Sequence, residues 1–252
     1  RWWASNIKKA VIIQMGKHKF WNFIKNEAEN TGELQLYGEI SDTSWWGDEI
    51  TPKDFKADLD ALGDISTLNV YINSPGGDVF AGQAIHSMLK RHSATVHVYV
   101  DGLAASIASV IAMAGDKIII PENAMIMIHN PWTVTAGNAA DLREVADRLD
   151  KINETIKSTY LSKAKINEAK LTELMDAETW LSAREAVDYG FADEIEDAKD
   201  YAASLNSRFL NFYKNMPLDL QKKAKNKGEK QNKNKELELS KAKLALEMAL
   251  LI

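Results

Sequence analysis

The chain has 252 residues, of which 45% are hydrophobic, so it can bury one large core. Its formal charge is −5, but residues 221–235 hold seven lysines and one glutamate, a local charge of +6, so the rest carries −11. This acidic remainder argues against a nucleic-acid-binding surface, and the absence of cysteine excludes disulfides, a cysteine nucleophile and thiolate metal ligands. No apolar run is long enough to cross a bilayer, so we expect a soluble, cytoplasmic protein with no membrane partner.

Hydrophobic periodicity predicts an alternation of strands and helices. We predict strands at 34–40, 69–73, 95–100, 117–120 and 125–128, and helices between them at 79–91 and 106–114. A further helix is opened by Thr51 and Pro52 and closed by Gly63. An amphipathic helix follows at 141–165, with one apolar stripe formed by Leu142, Val145, Leu149, Ile152 and Ile156. Ser182 and Glu185 match a capping box, so a last short helix begins there and ends at Gly190. The pattern is typical of an α/β domain.

The chain divides into four parts. Residues 1–33 form a lead segment, with Met15 as the expected natural start, and 34–198 form the folded domain. Residues 199–235 combine a helical segment with a lysine-rich linker, and Met216-Pro217 interrupts the pattern there. Residues 236–252 are either an amphipathic helix for self-association or partner docking, or an exposed apolar tail.

Two segments carry residues suited to acyl transfer. Ser106 follows a Gly-Leu-Ala-Ala turn at the start of an apolar helix, so it is a candidate nucleophile, and the N–H of Ile107 would point in the same direction. Gly76-Gly77 follows an apolar strand and leaves room for a peptide carbonyl against the N–H of Gly77. An ordinary strand-to-helix turn explains the glycines equally well.

A base and an acid are also available. His129 lies at the end of the strand at 125–128, where its side chain can enter a cleft. Ser109 competes with Ser106 but lies one helical turn further in, towards the packed interior. A carboxylate that orients the histidine is available at Asp176 or Glu178. The other histidines suit structural or surface positions: His18, His86, His92 and His97.

Three segments together resemble the signatures of the Clp protease proteolytic subunit (ClpP) family of serine peptidases: INSPGGDVFAG, DGLAASIASVIAMAG and MIHNP. Within that family, YGEISDTSWWGDEITP and HNPWT are most similar to the phage-encoded branch of head maturation (prohead) proteases. The resemblance covers residues 34–197 and leaves both ends of the chain unmatched.

The resemblance implies a role for each matched residue. Ser106 would be the nucleophile and His129 the base, and the N–H groups of Gly77 and Ile107 would form the oxyanion hole. The family aspartate falls on Glu178, which implies a Ser-His-Glu triad, with Asp176 as the alternative acid. No cofactor or metal is implied.

The resemblance also implies an architecture and partners. It implies a crotonase-like fold of repeated ββα units. It also implies self-association into rings, heptameric or double, through the long helix at 141–165, which corresponds to the handle region of the family. In a head maturation protease the substrates are scaffold and capsid precursors, and the enzyme acts in the host cytoplasm or within the procapsid.

Three other functions remain open on the sequence. The first is a general Clp-type degradative peptidase that works with an AAA+ unfoldase. It is also compatible with a non-proteolytic crotonase relative that binds an acyl thioester through paired N–H groups, without needing Ser106 and His129 together. The last alternative is a structural scaffold that acts through its C-terminal helix.

Overall fold

The computed structural model describes residues 19–41, 51–198, 210, 212–218 and 220–222, and within them it has a mixed α/β architecture, as predicted. The strands are β1 (Trp21–Asn26), β2 (Thr31–Tyr37), β3 (Thr67–Ser74), β4 (Thr95–Ala105), β5 (Lys117–Pro121), β6 (Met125–Ile128), β7 (Thr179–Ser182) and β8 (Glu194–Glu196). The helices are α1 (Pro52–Asp60), α2 (Val79–Lys90), α3 (Ile107–Ala112), α4 (Ala139–Leu161), α5 (Glu168–Asp176) and α6 (Ala183–Tyr189).

All eight strands join one sheet, ordered β1-β2-β3-β4-β5-β8, with β6 paired to both β4 and β7. The central pairs β2–β3, β3–β4 and β4–β5 are parallel, and two edge pairs, β1–β2 and β6–β7, are antiparallel. Strand β4 is long enough to pair twice, with β5 through residues 97–99 and with β6 through residues 103–105. Because β4 and β6 run parallel, their carboxyl ends meet at the same edge of the sheet.

The predicted helix ends are confirmed at several positions. Thr51 caps α1 and forms a capping box with Asp54, and Ser182 forms the predicted capping box with Glu185 at the start of α6. Gly190 ends α6 in the left-handed conformation, with φ 83°. Short polar side chains therefore set these boundaries, as their spacing in the sequence indicates.

Several predictions about the elements need correction: α5, β7 and β8 were not predicted, and β4 extends to Ala105, past its predicted end at residue 100. Strand β1 was not predicted, and since it lies within residues 1–33, the expected boundary at residue 34 falls inside β2. Helix α4 spans Ala139–Leu161 instead of 141–165, because Asn138 caps it earlier through a capping box with Asp141.

The amphipathic stripe of α4 is only partly buried. Ile156 packs into the core, but Leu142, near the start of the helix, is 45% exposed. In the first half of α4, Leu142 is therefore exposed, whereas Val145 and Leu149 are half-buried.

The main core lies on the sheet and under α1, α2 and α3, and a second, smaller cluster involves the chain beyond β8. In that cluster the buried side chains of Leu210, Tyr213 and Met216 pack against Leu103 and Met127 of the sheet. Within the described residues, no helix combines the length and the hydropathy needed to cross a membrane. Of the helical segment expected at 201–213, residues 201–209 and 211 lie outside the described residues, as do most of the lysine-rich linker and all of 236–252.

Candidate active site

Ser106 lies at the junction between β4 and α3, in a backbone conformation that is rare for a residue with a side chain. Its φ is 55° and its ψ is −128°, and its N–H donates to the Met127 carbonyl at 2.9 Å. A sharp turn between a strand and a helix exposes the hydroxyl at the edge of the sheet. The small residues Ala104 and Ala105 precede it and are fully buried.

His129 immediately follows β6, and the strand pairing places it beside Ser106. Ala105 is paired with Met127, so the chain leaves both strands at adjacent points of the same edge. The Oγ atom of Ser106 lies 2.8 Å from Nε2 of His129, which is hydrogen-bonding distance. The two side chains, 23 residues apart in sequence, thus meet in the arrangement that a serine nucleophile and its base require.

The environment of His129 keeps its imidazole neutral. Burial lowers the pKa of His129 from 6.5 to about 4, and the negative charge of Glu178 opposes part of that shift. At neutral pH the ring is therefore unprotonated and able to accept the proton of the Ser106 hydroxyl.

We expect peptide hydrolysis to persist well below pH 6. Protonated imidazole cannot act as a base, so the acid limb of kcat/KM should lie near pH 4, the pKa of His129, instead of near 6.5. Since the Glu178 charge raises that pKa, Glu178→Gln should move the limb to still lower pH. Rates between pH 3.5 and 8 with a small peptide substrate test both statements. An acid limb near 6.5, or a shift to higher pH in the variant, would contradict them.

The glycine turn after β3 packs directly on Ser106. A side chain at Gly76 would place its Cβ 2.7 Å from the Cβ of Ser106, and Gly76 has φ 92°. At Gly77, with φ 151°, a Cβ would lie 1.9 Å from the carbonyl oxygen of Ile40. Both positions therefore require glycine, which explains the pair in the sequence.

Two backbone amides beside Ser106 are left without a partner in the described part of the chain. Ile40 donates to the Gly76 carbonyl at 2.9 Å and accepts from the N–H of Asp78 at 2.8 Å, so the N–H of Gly77 itself points away from Ile40. The N–H of Gly77 donates to no group among the described residues, and the N–H of Ile107, the first of α3, has no partner within its helix. Both amides are thus candidate donors to an oxyanion beside Ser106.

The two candidate acids have different surroundings. Glu178 is 8% exposed, lies close enough to His129 to affect its pKa, and has φ 49°. Asp176 is exposed and accepts a hydrogen bond from Asn130 at 2.7 Å. Among the described residues, the Glu178 carboxylate is bonded by the N–H groups of Lys214 and Asn215, and neither carboxylate bonds the His129 ring.

A comparison with known families agrees with this arrangement. The sequence profile of the family described as Clp protease matches residues 23–199, more than half of the chain. The chain belongs to the Clp protease family. It is a serine-type peptidase, and general Clp-type proteolysis is the chemistry of its family.

Several curated Clp relatives are similar over the central part of the chain, and each is named ATP-dependent Clp protease proteolytic subunit. The protein from Deinococcus radiodurans is 34% identical over 142 residues, which is 55% of this chain and 69% of the relative. The protein from Bacteroides fragilis is 32% identical over 140 residues, 54% of this chain and 67% of the relative. A protein from Streptococcus pneumoniae is 35% identical over 142 residues, 54% of this chain and 72% of the relative.

Ser109, the competing candidate nucleophile, and the histidines other than His129 have different surroundings from the Ser106–His129 pair. Ser109 is fully buried, and its hydroxyl is 2.6 Å from the Ser106 carbonyl and 2.8 Å from the Tyr160 hydroxyl. His86 and His92 lie on or just after α2, and His97 lies within β4. His18 lies outside the described residues. In the described part of the chain, no cluster of three histidines or carboxylates is arranged to hold a metal ion.

Ser106 and His129 open into a cleft of about 380 Å³, whose wall includes Gly77, Phe80 and Trp132. Phe80 is 66% exposed and Trp132 is 38% exposed, so the entrance of the cleft is apolar.

Tyr213, which was not predicted as a site residue, forms another wall of the cleft. It lies beyond the matched Clp segment, which ends at residue 199. One signal was present, since Leu210, Tyr213 and Met216 recur every third residue, and that spacing indicates a buried face.

Proposed function

We propose that this Clp-family peptidase hydrolyses peptide bonds with Ser106 as nucleophile and His129 as general base. The 2.8 Å contact between Ser106 Oγ and His129 Nε2 carries this proposal. In the first step the serine oxygen attacks the scissile carbonyl carbon while its proton moves to Nε2. The N–H groups of Gly77 and Ile107 stabilise the oxyanion that forms.

The second half of the reaction returns the enzyme to its starting state. The protonated His129 gives its proton to the leaving amine as the carbon–nitrogen bond breaks, which leaves an acyl ester on Ser106. Water then attacks the ester with His129 again as base, and the carboxylic acid product leaves. A non-proteolytic acyl-thioester enzyme would not need these two side chains in contact, so the 2.8 Å distance favours hydrolysis.

Glu178 is the acid in this proposal, with Asp176 as the alternative. Its charge raises the pKa of His129, so it stabilises the imidazolium that forms when the serine is deprotonated. Asp176 is exposed and bound by Asn130, so water screens its charge more effectively.

For the biological substrate, we propose scaffold and capsid precursors in phage head maturation. The support is the similarity of YGEISDTSWWGDEITP and HNPWT to that branch of the family. The chain also continues past the matched segment into a lysine-rich linker and an apolar end, which would target the enzyme into a procapsid. A separate segment at 236–252 belongs to this proposal, whereas the expected boundaries at 34 and 198 do not, because residue 34 lies inside β2 and Leu210, Tyr213 and Met216 pack on the folded domain.

General degradation with an AAA+ unfoldase is the second candidate. The names of the relatives, ATP-dependent Clp protease proteolytic subunit, favour it.

Under either function we propose self-association into rings. The exposed apolar residues of α4 and the loop before it support this, since Leu142 is 45% and Val134 is 80% exposed. Apolar side chains in such positions commonly mark an interface between protein chains.

Co-expression of the full chain with the neighbouring scaffold and capsid precursors distinguishes the two functions. We expect a small set of discrete fragments, identified by mass, without any added unfoldase or ATP. The matched control is Ser106→Ala, which should leave the precursors intact. Precursors that stay whole with the parent, together with degradation of an unfolded protein only when an unfoldase and ATP are supplied, would favour the degradative function.

A further inference from the structure

Tyr213 occupies a central position beside the catalytic pair. Its ring is 9% exposed and meets the His129 ring edge to face, with centroids 5.4 Å apart and planes at 87°. Trp180 packs on the same ring, with centroids 5.8 Å apart. Aromatic contacts of this geometry restrain the orientation of the rings, so Tyr213 limits the positions available to the imidazole.

The Tyr213 hydroxyl reaches the turn that carries the oxyanion donor. It donates a hydrogen bond to the Pro75 carbonyl. The other end of the same peptide unit, the N–H of Gly76, donates to Ser74 Oγ at 3.1 Å, and that hydroxyl donates to the Gly38 carbonyl at 2.6 Å. The peptide plane between residues 75 and 76 is therefore held at both ends, and the next N–H along the chain is that of Gly77.

The residues after Tyr213 bind the candidate acid. The N–H of Lys214 donates to Glu178 Oε2 at 3.0 Å, and the N–H of Asn215 donates to Oε1 at 2.8 Å. The Asn215 side chain also donates to the Ala177 carbonyl at 2.6 Å. Three consecutive residues, 213–215, thus contact the base, the oxyanion turn and the acid.

We propose that Tyr213 is a positioning residue of this peptidase, which orients the oxyanion turn through its hydroxyl and the base through its ring. The proposal rests on the assignment of Ser106, His129 and Gly77 given above. Leu210, Tyr213 and Met216 then belong to the catalytic unit, although they lie outside the segment that matches the family.

The cleft distinguishes positioning from inhibition. A segment that blocked the site would fill the space in front of Ser106, yet a cleft of about 380 Å³ remains there, with Tyr213 as one wall. Burial raises the pKa of Tyr213, so its hydroxyl stays protonated and serves as a hydrogen-bond donor. Its proton is donated to the Pro75 carbonyl, and its oxygen also interacts with the Ser106 side chain, so in this proposal the hydroxyl positions Ser106 and the turn and supplies no proton to the reaction.

The test compares the full-length parent with Tyr213→Phe and Tyr213→Leu. Phenylalanine keeps the ring on His129 but removes the hydroxyl, and with it both the bond to Pro75 and the interaction with the Ser106 side chain. We therefore expect kcat to fall roughly tenfold or more, while KM changes less than about twofold. Leucine also removes the ring contact and should lower kcat further. The rate of fluorophosphonate labelling at Ser106 should fall in parallel with kcat.

Tyr99→Phe is the matched control, since it removes a tyrosine hydroxyl from β4, where Tyr99 stacks on Tyr71 away from the cleft. It should retain the parent's kcat. A Tyr213→Phe enzyme with the parent's kcat would overturn the proposal, and a faster one would show that the segment inhibits. If the parent itself is not labelled at Ser106, the catalytic assignment fails first and this inference falls with it.

Discussion

Alanine at position 106 should abolish covalent labelling by a fluorophosphonate and lower peptide hydrolysis by roughly 10⁴-fold or more. The reason is that the His129 ring bonds the Ser106 hydroxyl, with Nε2 and Oγ 2.8 Å apart, and bonds no other hydroxyl among the described residues. Losses of this size are typical when a serine nucleophile is removed. Labelling followed by peptide mapping, together with rates on a small peptide, measures both effects.

Ser109→Ala is the matched control for that result. The Ser109 hydroxyl is buried and bonded to the Ser106 carbonyl and the Tyr160 hydroxyl, so its loss should cost about 1–3 kcal/mol of stability. The variant should still be labelled at Ser106. Labelling that survives in Ser106→Ala but disappears in Ser109→Ala would reverse the assignment.

Alanine substitutions at the two candidate acids, Glu178 and Asp176, should have clearly different effects on kcat. We expect Glu178→Ala to lower kcat roughly hundredfold or more, because the imidazolium formed in the reaction then loses its nearby negative charge. Asp176→Ala should change kcat less than about threefold, because Asp176 is exposed and bonded to Asn130. Steady-state rates of both variants at pH 7 provide the comparison.

Thermal unfolding of the same two variants is needed as a control. Glu178 binds the N–H groups of Lys214 and Asn215, so its loss also weakens the attachment of that segment. A Glu178→Ala protein that unfolds at the parent's temperature but turns over slowly would support the catalytic role. If Asp176→Ala is the slower enzyme, the acid is Asp176.

Local sequence signals account for most of the fold that surrounds the site. Capping residues such as Thr51 and Ser182 act within three positions of themselves, so their boundaries are predictable from short windows. The α/β class likewise follows from periodicity. Strand β1 escaped prediction because its outer residues are polar and exposed and give no clear alternation.

The proximity of Ser106 and His129 was predictable only through the resemblance. Nothing in a short window shows that β4 continues past its pairing with β5 and then pairs with β6, yet that second pairing brings the two side chains together. The exposure of Leu142 has a similar origin. Periodicity identifies the apolar stripe of α4, but it does not show which part of that stripe the sheet covers.

The role of Tyr213 could not be predicted from the sequence, because its partner lies far away along the chain. Its hydroxyl bonds a carbonyl 138 positions earlier in the chain, and no local pattern encodes such a partner. The acid is ambiguous for a related reason. Asp176 and Glu178 are two residues apart, and the positive φ of Glu178, which a short sequence window does not show, changes the direction of its own side chain.

The backbone at Ser106 has a thermodynamic consequence. A residue with a side chain held at φ 55° and ψ −128° costs on the order of 1–3 kcal/mol relative to a relaxed one, a penalty that glycine would avoid. If only the stability of the fold mattered, glycine would therefore be the more favourable residue at this position. The serine at this position therefore lowers the free energy of unfolding, and the packing of the buried residues around it must offset that cost.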